Sequence, residues 1–124
     1  MPGCSKVGQR VVIAGISGKT EVLDLAKRTI EYAGDLNTGR SYFHIISITT
    51  GGIQKTFALG GYYNSQALDS IEELDHDTLT WNTLPEKLSV KRHWFGAIAL
   101  PRSIILGILM YTWNPSLGQI IMVL

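Results

Sequence analysis

The stretch "FALGGYYNSQALDSIEELDHDTLTWNTLP", residues 57–85, decides how this chain is read. An apolar run, Phe57-Ala58-Leu59, ends in Gly60-Gly61 and is followed by Tyr62-Tyr63. The segment "DSIEELD" (69–75) alternates Ile71 and Glu73 with Glu72 and Leu74, a period of two that marks a strand. The polar cluster Asp75-His76-Asp77-Thr78 is a turn, because short polar side chains bond the nearby backbone. The next strand, "LTWNTL", carries Trp81. Paired glycines at a strand end supply positive φ and let another stretch of backbone approach closely.

The same pattern lies upstream in weaker form. Glu21, Leu23, Asp24 and Thr29 fall on Glu72, Leu74, Asp75 and Thr80, each 51 residues later, and Ile30 falls on Trp81. Arg40 falls on Arg92 and Phe43 on Phe95, each 52 later; Gly15 falls on Gly60, 45 later. The six-residue difference sits in the loop after the glycines, where a change of length is tolerated. A period of this length indicates a repeat architecture. Gly60, Gly61, Asp75, Trp81 and Arg92, in that order, resemble the kelch repeat: an apolar strand ending Gly-Gly, a strand with a following acid, a Trp, then an Arg before the next strand. The first copy is degenerate, with Ile16 in place of the second glycine and Ile30 in place of the Trp.

The resemblance implies an all-β chain of antiparallel four-stranded blades set around a propeller axis. The expected layout is an open, incomplete arc of one whole and two partial blades. Residues 1–9 are expected to be a disordered N-terminus, 10–40 a partial blade lacking its innermost strand, 41–90 a complete blade, 91–111 a partial third blade, and 112–124 an apolar irregular tail. The structural repeat positions are Gly15, Asp24, Arg40, Gly60, Gly61, Asp75, Trp81 and Arg92. Trp81 is expected to fill the interface with a neighbouring blade, since an indole fits between sheets about 10 Å apart.

A competing motif is "GISGKT" (15–20), which follows the apolar run "RVVIA" and ends Gly18-Lys19-Thr20. A phosphate-binding loop would use such a lysine and threonine, but it needs a glycine five residues before Gly18, and that residue is Ile13. Under the repeat, "TEVLDL" is a strand and Lys19-Thr20 lies in a short blade loop.

Composition narrows the classes further. Eleven basic and ten acidic side chains leave a net charge of +1, which gives no electrostatic case for nucleic acid or an anionic membrane. The single cysteine, Cys4, excludes an internal disulfide, and Asn114-Pro115-Ser116 is no glycosylation acceptor. With no apolar core suited to a signal peptide near the start, an intracellular location is favoured. Residues 103–124 carry no charge, and 104–124 are just long enough for a single membrane-anchoring span. Asn114, Pro115, Ser116 and Gln119 near its middle weigh against that.

No reactive constellation emerges. The spacings between His44, His76 and His93 fit no compact metal motif. Glu72 and Glu73, adjacent on a strand, point to opposite faces. Some kelch-type propellers are copper oxidases using two Tyr and two His; Tyr42, Tyr62 and Tyr63 are available here, but no cysteine is placed beside a strand tyrosine. The expectation is a non-catalytic protein-interaction module, a fragment of a longer propeller protein, with no cofactor and no metal. Its partner is another protein, met by a rim of Arg40, Tyr62, Tyr63, Asn64 and Arg92, and open blade edges are free to self-associate. The alternative is an enzyme on a propeller scaffold, an oxidase or a sugar-active enzyme.

Overall fold

The computed structural model describes residues 2–101, 112–114 and 119–123, and every regular element among them is a strand. The first sheet is an antiparallel meander of β1 (Gly3–Val7), β2 (Arg10–Ala14), β3 (Thr20–Asp24) and β4 (Thr29–Ala33), in that spatial order. The second is built from β5 (His44–Thr50), β6 (Ile53–Leu59), β9 (Ser70–Asp75) and β10 (Thr80–Lys87), also in sequence order. Between β6 and β9 a small hairpin forms from β7 (Tyr62–Tyr63) and β8 (Gln66–Ala67). A third sheet contains β11 (Ala97–Pro101), β12 (Thr112–Asn114) and β13 (Gln119–Val123), with β13 in the middle.

The expectation of antiparallel four-stranded blades holds, and the described sheets do not close into a ring. Two boundaries differ from the sequence reading. Residues 1–9 were expected to be disordered, and the first blade to lack its innermost strand. Instead Gly3–Val7 is that strand, paired with β2 from Gly3↔Ala14 to Val7↔Arg10. "GCSKV" has little apolar signal of its own; it is held by its ladder and by close packing on β5. A Cβ on Gly3 would lie 3.1 Å from Cγ1 of Ile45. The second correction is at the other end. Thr112–Asn114 and Gln119–Val123, placed in an irregular tail, are paired strands. Residues 102–111, 115–118 and 124, which held the rest of the expected third-blade strand and membrane anchor, lie outside the described residues. Among the described residues no helix is long and apolar enough to cross a membrane.

The repeat is visible atom by atom. Asp24 Oδ1 accepts hydrogen bonds from the amides of Ala26 (3.0 Å) and Lys27 (2.9 Å), closing the β3–β4 turn. Asp75 Oδ1 does the same for Asp77 (2.8 Å) and Thr78 (3.0 Å) in the β9–β10 turn. Both turns end on a left-handed residue, Arg28 at φ 56° and Leu79 at φ 55°. Backbone amides hold both aspartate carboxyls below the usual carboxylate range, because each bond favours the ionised form. Downstream, the Leu36 amide donates to Gly18 O and the Leu88 amide to Asp69 O, both at 2.8 Å.

Packing follows the period of two. One apolar layer lies between the first two sheets and contains Val12, Ala14 and Val22 from one side and Ile45, Ala58, Leu74 and Trp81 from the other. A second layer covers the opposite face of the second sheet with Ile46, Ile48, Phe57, Leu59, Ile71 and Leu88, against Phe95 and Ala97 at the start of the third. Trp81 therefore fills the interface expected of it. It is buried, and its indole nitrogen donates to Thr20 Oγ1 across the seam at 3.0 Å.

Candidate binding rim

The loop after β6 begins with Gly60 and Gly61, at φ 54° and 105°. Both are crowded by other backbone. A Cβ on Gly60 would sit 2.7 Å from Arg92 O, and one on Gly61 would sit 2.9 Å from Ser41 O. The double glycine is thus the point where the chains entering the second and third sheets cross the second. The crossing is fixed by hydrogen bonds from Gly61 N to Arg92 O (2.9 Å) and between Ser41 and Tyr62 in both directions (3.0 and 2.8 Å). In the first sheet Gly15 also ends a strand, and its amide bonds Lys19 O as that of Gly60 bonds Ser70 O. Residues 15–18 turn tightly there; in the second sheet the six extra residues project as the β7–β8 hairpin. Asn64 and Ser65 make its tip, at φ 48° and 62°, the geometry of a two-residue turn that keeps the strands twisted together.

The crossing gathers aromatic rings. Tyr42 and Trp94, 52 residues apart, share a left-handed backbone (φ 53° and 55°) and stack with centroids 4.2 Å apart and planes inclined by 18°. The Trp94 amide donates to Tyr42 O at 3.1 Å. Tyr62 meets His93 at 5.0 Å. Tyr63 covers Gly39 while remaining half exposed, and Trp94 is 67% exposed. Bulky residues in the left-handed region cost roughly 1–3 kcal/mol each and persist only where surrounding contacts fix them. Below this rim a cleft of about 420 Å³ opens where the innermost strands begin, walled by Cys4, Tyr42, His44 and Trp94 among others. Burial pushes the His44 imidazole below its usual value.

Arg40 was expected on the partner-binding rim. It is instead 1% exposed and locked beneath it. Its guanidinium donates to Gly60 O (2.8 Å), Ser70 O (3.2 Å), Ser70 Oγ (3.1 Å) and Glu72 Oε2. Glu72 Oε1 accepts from the Asn37 amide at 2.6 Å, and Oε2 from Thr38 at 3.3 Å. The buried carboxylate is therefore satisfied on both oxygens and neutralised by one cation. Burial lowers the Arg40 pKa, and the Glu72 carboxylate opposes that shift. Arg92, the other rim arginine, is half-buried; its Nε donates to Val90 O at 3.3 Å. Tyr62, Tyr63 and Asn64 do lie on the rim, while Gly15, Asp24, Asp75 and Trp81 are spent on turns and core. The sequence reading missed Tyr42, His93 and Trp94 as rim residues. The offset of 52 that pairs Arg40 with Arg92 also pairs Tyr42 with Trp94.

The closing residues of the competing motif are equally structural. Thr20 Oγ1 receives the Trp81 indole, and Lys19 ion-pairs loosely with Asp35 (3.7 Å) above the Tyr32 ring. Among the described residues no group of three His, Cys, Asp or Glu is placed to hold a metal ion.

Residues 54–88 match the family model of the Kelch motif. No curated protein matches the chain. Among solved structures the chain is similar to a fungal alcohol oxidase, described as a novel enzyme with catalytic diversity among the AA5 family and in complex with copper. The two are 26% identical with a TM-score of 0.56, over 73% of this chain and 20% of the oxidase. The chain thus corresponds to about a fifth of that protein's length.

Proposed function

We propose that this chain, which carries a kelch repeat at residues 54–88, is a non-catalytic protein-interaction module whose contact surface is the aromatic rim. The observation that carries the reading is the β7–β8 hairpin. Six residues absent from the first repeat lift Tyr63, Asn64, Ser65 and Gln66 out of the sheet, and at the root of the hairpin Tyr62 packs on His93, the chain neighbour of the exposed Trp94. Tyr and Trp give large contact area at low entropic cost, which is why they dominate binding hot spots. Support also comes from the fate of the buried charges. Arg40 and Glu72 neutralise one another and pin the strand crossing, so neither faces a substrate.

Photo-crosslinking tests this reading. A benzophenone amino acid at Tyr63 should capture a protein partner that the same probe at Thr83, on the outer edge strand, does not. Trp94→Ala should abolish the Tyr63 adduct. Equal labelling at both positions would overturn the reading.

A second reading, an oxidase, is favoured by the similarity to the alcohol oxidase and by Cys4, Tyr42 and His44 lining one cleft. Copper chemistry of the kind the resemblance implies needs two histidines and two tyrosines converging. Among the described residues the cleft is lined by one histidine, His44, and one tyrosine, Tyr42, while His93 packs on Tyr62 at the rim. Among the described residues these donors fall short of the set such a copper ion needs. Stoichiometric copper in reconstituted protein, with alcohol-dependent peroxide release, would establish the oxidase reading in place of the first.

A further inference from the structure

At the opposite end of the strands the turns of the two four-stranded sheets enclose a second cleft, of about 880 Å³. His76, in the β9–β10 turn, lines it and ties three elements together. Its backbone oxygen accepts from Arg10 Nη1 of β2 at 2.9 Å, which is a bond across the seam. Its Nε2 meets Thr56 Oγ1 of β6 at 2.9 Å, and Thr56 in turn meets Ser47 Oγ of β5 at 2.8 Å. Its Nδ1 is buried and has no hydrogen-bond partner among the described residues.

This arrangement suits only the neutral ring. With the proton on Nε2, the hydroxyl of Thr56 accepts it and passes its own to Ser47, and Nδ1 stays bare. A second proton would sit on the buried Nδ1 with no acceptor, and an unsatisfied buried donor is costly. Of the cations around the cleft, Arg10 acts on the ring in the same direction. Arg10 presses on the ring from β2, and Lys27 and Lys55 line the same cleft from the β3–β4 turn and from β6. The acids Asp24, Glu73, Asp75 and Asp77 line its walls, and they offer an outward-swung imidazolium a carboxylate that the buried pocket lacks.

We infer that His76 is a pH-operated latch across the seam between the first two sheets: neutral, its ring is held inside on Thr56; protonated, it swings out toward Asp75 and Asp77, and the seam opens at this end. Burial, followed by the Arg10 charge, holds the imidazole below its ordinary value of 6.5, and Asp75 and Asp77 oppose this. The sign follows. The opened state binds the proton more readily than the closed one, so the latch is fully closed above 6.5 and loosens as the pH falls below it. Within the window between the two pKa values, one linked proton raises the opening equilibrium about tenfold per pH unit.

Imidazole NMR and amide hydrogen exchange on the full chain, titrated from about pH 7.5 to about pH 5, test this directly. The expected results are an Nε2–H tautomer for His76 at the upper end and a titration midpoint below 6.5. Protection at residues 8–12 and 75–79, corrected for intrinsic rates, should fall in step with that midpoint. His76→Gln should remove the step, and His44→Gln should keep it. Thr56→Val, which leaves Nε2–H without its acceptor, should move the step to higher pH; this variant retains the titrating ring should His76→Gln fail to fold. A step that survives His76→Gln, or one that Thr56→Val leaves in place, overturns the latch.

Discussion

At the scale of single residues, Trp81 and Thr20 show how the fold assigns work. The indole is buried between two sheets and its one polar atom is satisfied by a hydroxyl that is itself buried. Trp81→Ala should cost about 3–5 kcal/mol in chemical denaturation, through lost burial and the cavity left behind. Trp81→Phe keeps most of the volume and removes one bond to the Thr20 hydroxyl, which still donates to Gly18 O at 3.3 Å, and should cost about 1 kcal/mol. A loss below about 1 kcal/mol for the alanine variant would contradict the blade packing. The place of Trp81 was legible from the period of 51. The part played by Thr20 was not, because its partner lies 61 residues away and its neighbours Gly18 and Lys19 mimic a phosphate loop. Lys19 is solvent-exposed and only loosely paired with Asp35. Lys19→Ala should leave stability within about 0.5 kcal/mol of wild type. Titration calorimetry with ATP should show no heat for either protein; micromolar binding lost on substitution would restore the nucleotide reading.

At the scale of elements, the strand crossing decides which substitutions are tolerated. The double glycine was readable as a positive-φ strand end, but sequence could not show what crowds it. The answer is the carbonyl of Arg92, 32 residues on from Gly60, and that of Ser41, 20 residues back from Gly61. Gly60→Ala must place a methyl inside van der Waals distance of backbone, at φ 54°. It should therefore cost more than the roughly 0.4–1 kcal/mol that the same change gains at glycine sites where alanine fits. Arg40 and Glu72 escaped prediction for a related reason. Adjacent glutamates on a strand were rightly assigned opposite faces, but nothing local marks the face on which a carboxylate is buried with its arginine. Arg40→Met alone leaves a buried carboxylate without its cation and should cost about 3–5 kcal/mol. Replacing both partners, Arg40→Met with Glu72→Leu, removes the stranded charge and should be less damaging than Arg40→Met alone. A double variant that falls by the sum of both single losses would show that the pair contributes through packing and backbone contacts rather than charge.

At the scale of the whole molecule, the alternation that builds the core also predicts what is left uncovered. In the second sheet, Ala58, Leu74 and Trp81 face the first sheet and are buried. Their counterparts in the first sheet, at the offsets of 45 and 51, are Ile13, Leu23 and Ile30. These lie on the face turned away from the second sheet, joined by Tyr32. Ile30 is 67% exposed and Tyr32 60%. Among the described residues the edge strand β4, "TIEYA", pairs only with β3; it contains neither proline nor lysine, whereas the corresponding edge β10 is interrupted by a register shift around Pro85. Apolar faces and unguarded edges of this kind pair with other chains. The purified chain should therefore associate in a concentration-dependent way, seen by size-exclusion chromatography with light scattering. Ile13→Lys with Ile30→Lys should shift it toward the monomer while leaving Trp81 fluorescence unchanged, since neither side chain belongs to the apolar layer around the indole. A wild-type chain that is already a monodisperse monomer, with one cooperative melt, would show that this face is stable in water as it stands.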